Sequence, residues 1–401
     1  MQKLLIVTSR VPWPLDKGDK LRAFHQIKAM SRVAEVYLFC TNDLSEIEGA
    51  ESELKKYCKE VRIVPLPKLR IVWNLFLALF QRIPFQVAYF YNRSVQRAFD
   101  DFANRINADT VYCQLIRTAL IAKKRHEYKV VDYMDTFSKG IERRLKKSSG
   151  IKNLLLRMEH SRLIQFERDV FSWFDERLII SEQDRNLIPH SEKSDIKVIP
   201  NGVDLEFFRP QERIKEFEIL FSGNMNYPPN IEAAEFLCSK IIPLLSESGH
   251  RVKVLISGTT PASKVKALES PNITVSGWVN DIRENYARSR VLVAPMQSSI
   301  GLQNKLLEAM AMGIPCVTST LANNALGAKA GEEILTADTP EEYVAHIIKL
   351  LSEENEYQKF SNSGLNFVRS NFSWEKFNQE LADILLNSVS IRQQKTTGEL
   401  S

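Results

Sequence analysis

The second half of the chain contains the sequence GLQNKLLEAMAMGIPCVTS at residues 301–319. Residues 304–312 are good helix formers with apolar side chains at helical spacing, so we predict a helix there. Gly313 suits the left-handed position that ends a helix, and Pro315 cannot continue one. A loop, a helix and a following strand in this order form a building block of parallel α/β sheets.

Two charged side chains in this helix suggest a ligand. Lys305 and Glu308 are three residues apart, so they share one face of the helix. The amino-terminal end of a helix favours an anion, and a carboxylate accepts hydrogen bonds from hydroxyl groups. A sugar nucleotide, with a phosphate end and a hydroxyl-bearing end, suits this pair. The alternative is an ordinary surface ion pair, although a first-turn cation opposes the helix dipole.

Length and cysteine usage limit the class of protein. The chain has 401 residues, which is enough for two domains of about 200 residues each. Its five cysteines are scattered and include no CxxC pair, so we predict buried thiols in a reducing compartment. The apolar run at residues 4–7 is too short for a signal peptide and suits a first buried strand. We therefore expect a cytoplasmic protein.

Charge is distributed unevenly along the chain. Residues 1–200 contain 35 Lys and Arg against 25 Asp and Glu, whereas residues 201–401 contain 19 against 24. A basic first half suggests contact with an anionic surface, and we favour the inner face of the cytoplasmic membrane. The alternative is a chance excess on solvated helices.

The most hydrophobic segment is LRIVWNLFLALFQR at residues 69–82. It is too short to span a bilayer. Its flanking Arg70 and Arg82 and its Trp73 suit a helix that lies in a membrane interface. A partly buried helix of the first domain is an equally weighted alternative.

Apolar runs rich in β-forming residues alternate with helical patterns along the chain. In the first half we predict strands at residues 4–8, 35–39, 61–65, 110–113, 129–133, 177–180 and 196–199. In the second half we predict strands at residues 218–221, 252–256, 273–275, 291–294 and 316–318. This alternation indicates an α/β protein with two doubly wound parallel-sheet domains.

The domain boundary is predicted from turn chemistry. Asn201 and Gly202 favour a turn directly after the last strand of the first half. The predicted segments are a first domain at 1–203, a second domain at 204–372, a closing helix at 373–390 and a disordered tail at 391–401.

Five further segments are informative because of their order. They are ISEQDR at 180–185, KVIPNGVD at 197–204, SGWVNDI at 276–282, LEAMAMGIPCV at 307–317 and FSW at 372–374. Together they resemble glycosyltransferase family 4 over nearly the whole chain. The resemblance implies the GT-B fold, in which two Rossmann-like domains face a cleft and a C-terminal helix returns to the first domain. It also implies that the first domain binds an acceptor and the second a nucleotide-diphosphate sugar.

The resemblance implies a donor site built mainly by the second domain. Glu308 would contact the ribose hydroxyls, and the backbone after Gly277 would meet the nucleobase. The donor-binding residues predicted on this basis are Gly18, Gly223, Asn224, Trp278, Val279, Gly301, Leu302, Gln303, Asn304, Lys305 and Glu308. Two alternatives stay open: an ordinary turn at 223–224, and a core position for Trp278.

The chain departs from the family pattern at two places. Ile300 stands where family members carry a glutamate that contacts the sugar. The loop SGNMNYPPN at 222–230 lacks the Arg and Lys that clamp the diphosphate in familiar members. Because an uncompensated diphosphate in a closed site is costly, we expect Lys305 to be the principal phosphate cation.

In the first domain, the loop DKGDKLR at 16–22 follows the first predicted strand. The resemblance places it near the donor phosphate and the acceptor, and Gly18 permits close approach of the backbone. We predict that Lys17, Lys20 and Arg22 meet an anionic acceptor. A charged surface turn is the alternative.

Asp135 follows the strand predicted at 129–133 and lies where relatives often carry a His or Asp near the reacting sugar. We predict that it stabilises positive charge at the anomeric carbon or takes the acceptor proton. With Lys305 and Glu308 it forms the predicted catalytic set. We expect no cofactor and no metal ion.

The resemblance implies transfer of a sugar to an acceptor hydroxyl with retention of configuration, in bacterial polysaccharide or lipid-linked glycan synthesis. The partners predicted are a nucleotide sugar, a glycan or lipid-linked acceptor and a membrane surface, but no nucleic acid. Two alternatives stay open. One is an inactive sugar-nucleotide-binding assembly protein, which stays open because Ile300 replaces the family's sugar-contacting glutamate. The other is a GT-B sugar-nucleotide epimerase, which would need acids and histidines in both domains.

Overall fold

The computed structural model describes residues 1–15, 17–43, 49–146, 148–298 and 301–386. Within them the chain divides into two compact units. Unit 1 comprises Met1–Pro200 together with the described residues from Phe377 onward, and unit 2 comprises Asn201–Lys376. Asn201, Gly202 and Val203, which the sequence placed in the first domain, thus belong to unit 2.

Unit 1 is built on a parallel sheet of seven strands in the order β3-β2-β1-β4-β5-β6-β7. Its strands are β1 Lys3–Thr8, β2 Glu35–Asn42, β3 Glu60–Pro65, β4 Thr110–Gln114, β5 Tyr128–Asp132, β6 Glu176–Ile179 and β7 Lys197–Val198. Its helices are α1 Gly18–Met30, α2 Ala50–Leu54, α3 Lys68–Phe80, α4 Phe85–Ala88, α5 Arg93–Ile106, α6 Ile116–Ala122, α7 Phe137–Lys146, α8 Gly150–Trp173 and α9 Glu182–Leu187. A single 3₁₀ turn, Lys193–Asp195, precedes β7.

The central strands of unit 1 are buried on both faces, which explains their continuous apolar sequences. In β1, the side chains of Leu4, Leu5, Ile6 and Val7 are at most 1% exposed. Helices pack on both sides of such a sheet because right-handed crossovers return the chain to the next parallel strand. The carboxyl ends of all seven strands therefore lie at one edge of the sheet.

Unit 2 is built on a parallel sheet of six strands in the order β10-β9-β8-β11-β12-β13. Its strands are β8 Phe217–Ser222, β9 Val254–Ser257, β10 Ile273–Gly277, β11 Ser289–Ala294, β12 Cys316–Thr318 and β13 Leu335–Thr336. Its helices are α10 Pro228–Phe236, α11 Ile242–Glu247, α12 Ser263–Lys266, α13 Ile282–Ala287, α14 Asn304–Ala311, α15 Thr320–Leu326, α16 Pro340–Ser352 and α17 Glu354–Asn371. A π-helical turn, Leu237–Ile241, joins α10 to α11.

The predicted fold class is confirmed. Both units are parallel-sheet α/β domains, and each predicted strand overlaps a strand of the structure. The sequence analysis missed one strand of the structure, β13, because a strand of two residues is too short to show a strand pattern.

A last helix, α18 Trp374–Leu386, carries the chain from unit 2 into unit 1. In unit 1 its final carbonyl groups accept hydrogen bonds from two side chains, Gln2 to Leu386 at 2.9 Å and Thr110 to Leu385 at 3.1 Å. The tail predicted from residue 391 lies outside the described residues.

Gly202 shows why the predicted turn needs a glycine. Its backbone lies so close to Trp374 that an added Cβ would come within 2.5 Å of the Trp374 nitrogen. The neighbouring Val203 nitrogen donates to the Phe372 carbonyl at 2.8 Å. Within unit 2, the start of the unit is therefore fastened to its end by backbone contact.

Helix α3 is exposed along most of its length. Only Ile71 and Ala78 of this helix are buried. Its large exposed side chains are Leu69, Val72, Trp73, Phe76, Leu77, Leu79 and Phe80. Trp73 stacks on Phe76 with ring centroids 5.7 Å apart, so the exposed aromatic rings form a continuous surface. We refer to these seven side chains as the α3 apolar face.

Two further expectations concern thiols and membrane spans. All five cysteines are free thiols, four of them buried and Cys238 half-buried. Across the described parts of the chain, no helix has the length and apolar character needed to cross a bilayer.

Candidate functional site

The Lys305 ammonium group is buried near the start of α14. Its side chain is only 7% exposed. Its Nζ donates to Asn230 Oδ1 at 2.7 Å, approaches Met296 Sδ at 3.7 Å and lies 4.6 Å from the centre of the Phe221 ring. These neighbours are all uncharged. Within the described ranges, no carboxylate oxygen forms an ion pair with this ammonium group.

This environment changes the proton affinity of the lysine. Burial lowers the pKa of Lys305 to about 7, and the nearby Glu308 opposes the shift only in part. A buried cation without a contact ion pair is unfavourable unless a ligand supplies the negative charge. The site is therefore prepared for an anion.

Glu308 lies one turn further along α14 and is half-buried. Its Oε2 accepts a hydrogen bond from the Tyr286 hydroxyl at 2.7 Å, and that hydroxyl lies 2.8 Å from Ser222 Oγ. Because the Tyr286 proton goes to Glu308, the Ser222 hydroxyl must donate to Tyr286. No described residue donates to the other carboxylate oxygen, which leaves an acceptor for ligand hydroxyls.

The proton affinity of Glu308 reflects two opposing effects. Burial raises the pKa of this carboxyl, whereas the Tyr286 hydroxyl and the Lys305 ammonium lower it. Both opposing groups favour the ionised form, which is the form that accepts hydrogen bonds from hydroxyl groups.

The loop after β8 approaches the same ammonium group. Gly223 has φ of 149°, and an added Cβ would lie 2.7 Å from Asn230 Nδ2 and 3.3 Å from Lys305 Nζ. Gly258, which follows β9, has φ of 146°, and its Cβ would fall 1.6 Å from the Gly223 carbonyl oxygen. The Asn230 Nδ2 donates to the Asn224 carbonyl at 2.9 Å. Because both residues are glycines, the backbone segments that follow β8 and β9 can pack against each other beside Lys305.

The remaining predicted donor residues of unit 2 lie in loops. Trp278 is 64% exposed, which rules out the core position considered as an alternative, and Val279 beside it is half-buried. The predicted residues Gly301, Leu302, Gln303 and Asn304 are all half-buried. Ile300, where the family pattern has a glutamate, lies outside the described residues.

The loop before α14 is held by polar contacts. Gly301 has φ of 92°, and its carbonyl accepts from Gln303 Nε2 at 3.1 Å. Asn304 Oδ1 accepts from Asn201 Nδ2 at 3.4 Å.

In unit 1, Asp135 follows β5 and is exposed. Desolvation by the surrounding protein raises the pKa of this carboxyl, while a hydrogen bond from the Thr136 backbone and the charges of Arg143 and Arg117 oppose the shift. Gly18 is exposed at the first position of α1, and a Cβ there would meet nothing within 4 Å. Lys17 is half-buried and Lys20 is buried.

Arg22 requires a correction. Its side chain is fully buried, and its Nε pairs with Asp132 Oδ2 at 2.6 Å. One of its Nη atoms donates to the Pro200 carbonyl at 3.1 Å, and Tyr112 also donates to Asp132 at 2.8 Å. Arg22 thus joins α1, β5 and the end of β7 inside unit 1. We leave Arg22 out of the acceptor site, because its guanidinium is buried and paired with Asp132 inside unit 1. The prediction of an acceptor contact rested on its place beside a loop, which does not reveal this distant partner.

The segment that carries Asp135 is anchored by two buried acids. Glu167 Oε1 accepts from the Ser138 amide at 3.0 Å, and its carbonyl accepts from the Tyr133 hydroxyl at 2.9 Å. The Asp184 carbonyl accepts from Thr136 Oγ1 at 2.9 Å. Residues on both sides of Asp135 are therefore fixed. We call Glu167 and Asp184 the loop anchors.

Several of these residues were absent from the sequence prediction. Ser222 and Gly258 were missed although Ser222 ends β8 and Gly258 follows β9, a signal that could have singled them out. Asn230 was also missed; it lies in the first turn of α10. Tyr286 gave no local signal, because its partner Glu308 is 22 positions away. Among the described residues, no group of three or more His, Cys, Asp or Glu side chains is placed to hold a metal ion.

Comparison with known proteins finds a family match within the second unit. Residues 216–353 match the family model described as glycosyl transferases group 1. The match lies within unit 2 and shows that this part of the chain is similar to that family. The matched residues include Gly223, Lys305 and Glu308, so the site described above lies within the matched segment.

Relatives and solved structures extend the comparison to the whole chain. The chain is 20% identical over 398 residues to an uncharacterised 44.6 kDa protein in the cps region of Klebsiella pneumoniae, covering 94% of this chain and 98% of that protein. A sucrose-phosphate synthase from Thermosynechococcus elongatus is similar in structure, with a TM-score of 0.72, 14% identity and coverage of 99% and 100%. Anabaena HepE in complex with UDP and glucose gives a TM-score of 0.69, 13% identity and coverage of 96% and 100%. These likenesses show that the two parallel-sheet units have the GT-B fold.

Proposed function

We propose that this protein transfers a sugar from a nucleotide-diphosphate donor to an acceptor hydroxyl, with retention of anomeric configuration. The observation that carries the proposal is the buried Lys305 ammonium, which has only neutral contacts and lies beside Gly223. A diphosphate would supply the missing negative charge. The group 1 glycosyltransferase domain around this site and the UDP and glucose bound by HepE support the choice of donor.

Each donor contact has a proposed role. Lys305 binds the diphosphate, and the free oxygen of Glu308 accepts the ribose hydroxyls. The exposed Trp278 and the backbone at Val279 meet the nucleobase. Gly223, Asn224 and the loop from Gly301 to Asn304 contact the phosphate and sugar. We include Gly18 on the phosphate side, because the space around it is open.

The proposed reaction is front-face displacement. The bond between the anomeric carbon and the phosphate oxygen breaks, and the acceptor oxygen bonds to the same face of that carbon. The acceptor proton passes to the departing phosphate oxygen. Lys305 stabilises the leaving diphosphate, and Asp135 stabilises positive charge on the sugar. We propose that these protein groups, without a cofactor or a dedicated metal site, supply the charge stabilisation.

The acceptor is proposed to be a glycan or a lipid-linked glycan at the inner face of the cytoplasmic membrane, in bacterial polysaccharide synthesis. The basic first half of the chain and the α3 apolar face support a membrane location. The cps-region relative from Klebsiella pneumoniae supports a role in surface glycan synthesis. We propose no nucleic-acid partner.

The test is a turnover assay on the full chain. Wild-type protein, Lys305→Met and the control Lys264→Met are incubated with a panel of nucleotide sugars and a membrane lipid extract, and nucleoside diphosphate release is measured. Lys264 is a suitable control because it is an exposed lysine of the same unit. We expect release with one donor, a loss of about 100-fold in Lys305→Met and normal rates in the control.

Two results would reject parts of the proposal. Donor binding without release, for every donor and extract, would favour the sugar-nucleotide-binding assembly protein. A product whose anomeric configuration, read by NMR, is opposite to that of the donor would exclude retention.

A further inference from the structure

Unit 1 contains a second cation that forms no contact ion pair with the described residues, and it is half-buried. Arg117 lies in the first turn of α6, directly after β4. Its guanidinium carbon is 4.7 Å from the centre of the Phe137 ring and 5.6 Å from that of Phe90. One Nη atom donates to the neutral Gln86 Oε1 at 3.1 Å. Its Nε is buried and has no hydrogen-bond partner among the described residues.

A second guanidinium shares the same aromatic support. The Arg10 guanidinium carbon is 5.7 Å from the centre of the Phe90 ring, so two cations lie against one phenyl group. Arg10 is itself paired with Asp19 at 2.8 Å. Burial lowers the pKa of Arg117 to about 10, and the positive charge of Arg10 adds to this effect.

The contacts made by Arg117 leave its charge poorly satisfied. Cation–π contacts with two phenyl rings do not neutralise the charge of a half-buried guanidinium. Three carboxylates, those of Asp19, Asp43 and Asp135, attract Arg117 from beyond contact distance. Asp19 is engaged by Arg10, and Asp43 accepts from the Tyr89 hydroxyl at 2.9 Å. None of them occupies the donors of Arg117.

The location is that of a ligand site. Arg10 follows β1, Asp43 follows β2, Arg117 follows β4 and Asp135 follows β5. These strands are adjacent in the order β2-β1-β4-β5. In open α/β sheets, ligands bind outside the carboxyl ends of the strands, near the point where the strand order reverses.

We infer that Arg117, supported by Arg10, binds an anionic group of the acceptor close to Asp135. The ligand chemistry is an oxyanion, either a phosphate of a lipid carrier or the carboxylate of an acidic sugar. The Nη1 atom of Arg117 has no hydrogen-bond partner among the described residues, and Nη2 has a second N–H beside the one given to Gln86. The edge formed by these two atoms matches either group through two parallel hydrogen bonds. The identification of the ligand as the acceptor rests on the proposed function. The anion site itself is argued from the geometry of unit 1 alone. It replaces the earlier assignment of Arg22 to the acceptor.

The test separates this site from the donor site. The full-length Lys305→Met variant, which lacks the donor-phosphate cation, is titrated by calorimetry with inorganic pyrophosphate and with glucuronate. We expect it to bind one of the two probes. Adding Arg117→Gln should weaken that binding about tenfold or more, since a charge-assisted bidentate contact is lost. A preference for pyrophosphate identifies a phosphorylated carrier, and a preference for glucuronate identifies an acidic glycan.

Two controls keep the result interpretable. Arg105→Gln, which removes an exposed arginine of the same unit, should leave probe binding unchanged. If Arg117→Gln fails to fold by circular dichroism, Arg117→Lys is used; it keeps the charge but loses the planar fork, and should weaken binding about threefold or more.

The outcomes are decisive in both directions. Equal probe affinity with and without the Arg117 change would overturn the inference, as would the absence of any probe binding to Lys305→Met. The affinity of Arg117→Gln for the donor nucleotide, measured in the otherwise wild-type chain, should stay within about twofold of wild type. That value is independent of the probe result, so failure of the donor site and failure of the anion site can be told apart.

Discussion

At the scale of single residues, Lys305 is placed for binding at the expense of stability. Its ammonium is buried among Asn230, Met296 and Phe221, none of which carries charge. A buried charge of this kind is commonly less favourable than an apolar side chain of similar size. Functional sites often keep such residues because the unfavourable state is relieved when the ligand binds.

We expect Lys305→Met to be more stable than wild type by on the order of 2 kcal/mol below pH 7. The pKa of Lys305 falls from 10.5 to about 7 on folding, so unfolding takes up a proton between these pH values. The wild-type protein therefore gains stability as the pH rises from about 7 toward 10, and the gap to the Met variant should close. Urea unfolding at pH 6 and pH 9.5 measures both values. A gap that is independent of pH would contradict the buried, charged lysine.

The Tyr286 hydroxyl orients Glu308 by donating to one of its oxygens. Tyr286→Phe should lower donor affinity about threefold to tenfold, because a charge-assisted hydrogen bond that fixes the carboxylate is lost. Tyr343→Phe is the matched control, since the Tyr343 hydroxyl is buried in the same unit without a partner. The control should bind the donor normally and be at least as stable as wild type. Equal affinities for the two variants would show that Tyr286 does not position Glu308.

Residue-scale prediction succeeded where the partners are close in sequence and failed where they are distant. Lys305 and Glu308 could be paired because helical spacing places them on one face. Arg22 was predicted to meet an anionic acceptor because its actual partner, Asp132, is 110 positions away and local sequence does not reveal it. Tyr286 and Arg117 were missed for the same reason: their surroundings come from other strands and helices, which local patterns do not specify.

At the scale of elements, the segment from Tyr133 to Ser138 depends on the loop anchors. Burial raises the pKa of Glu167 to about 7, and the nearby Asp135 adds to the shift. Asp184 is likewise raised to about 7 by burial and by Asp135. These acids act on Asp135 through the backbone they hold, so they are positioning residues.

Glu167→Ala should lower turnover about tenfold or more while leaving donor affinity unchanged, since the Ser138 amide loses its acceptor and the Asp135 segment moves. Glu167→Gln keeps that acceptor and should retain most of the activity. The measurements are kcat and donor affinity of both variants. Loss of activity in Glu167→Gln equal to that in Glu167→Ala would mean that the charge of Glu167, rather than its hydrogen bond, is what matters.

The α3 apolar face is the element on which the proposed membrane contact depends. Trp73 and Phe80 are 60% and 78% exposed, and interfacial helices bind through such aromatic side chains. Trp73→Ser with Phe80→Ser should reduce cosedimentation with vesicles containing phosphatidylglycerol about tenfold. The control Ile214→Ser removes an equally exposed apolar side chain, at 85%, from unit 2 and should have no effect. Wild-type binding that is absent, or equal in both variants, would contradict a membrane role for α3.

At the scale of the whole molecule, the fold could be predicted because the central strands are buried and their apolar runs are uninterrupted. The alternation of such runs with helices specified two parallel sheets, and only the two-residue β13 escaped detection. The unit boundary was nearly located, because the turn at Asn201 and Gly202 has a local signature. The close backbone contact between Gly202 and Trp374 had no such signature, since Trp374 lies at the far end of unit 2.

The central claim concerns what unit 2 binds, and direct titration of the full chain tests it. Isothermal calorimetry at pH 6.5 with UDP, GDP and their sugar conjugates is performed on wild type, Lys305→Met and the surface control Lys264→Met. The account predicts binding of one nucleotide series by wild type and the control, with a loss of about 100-fold or more in Lys305→Met. Near-wild-type nucleotide affinity in folded Lys305→Met, or no nucleotide binding to the wild-type chain, would contradict it.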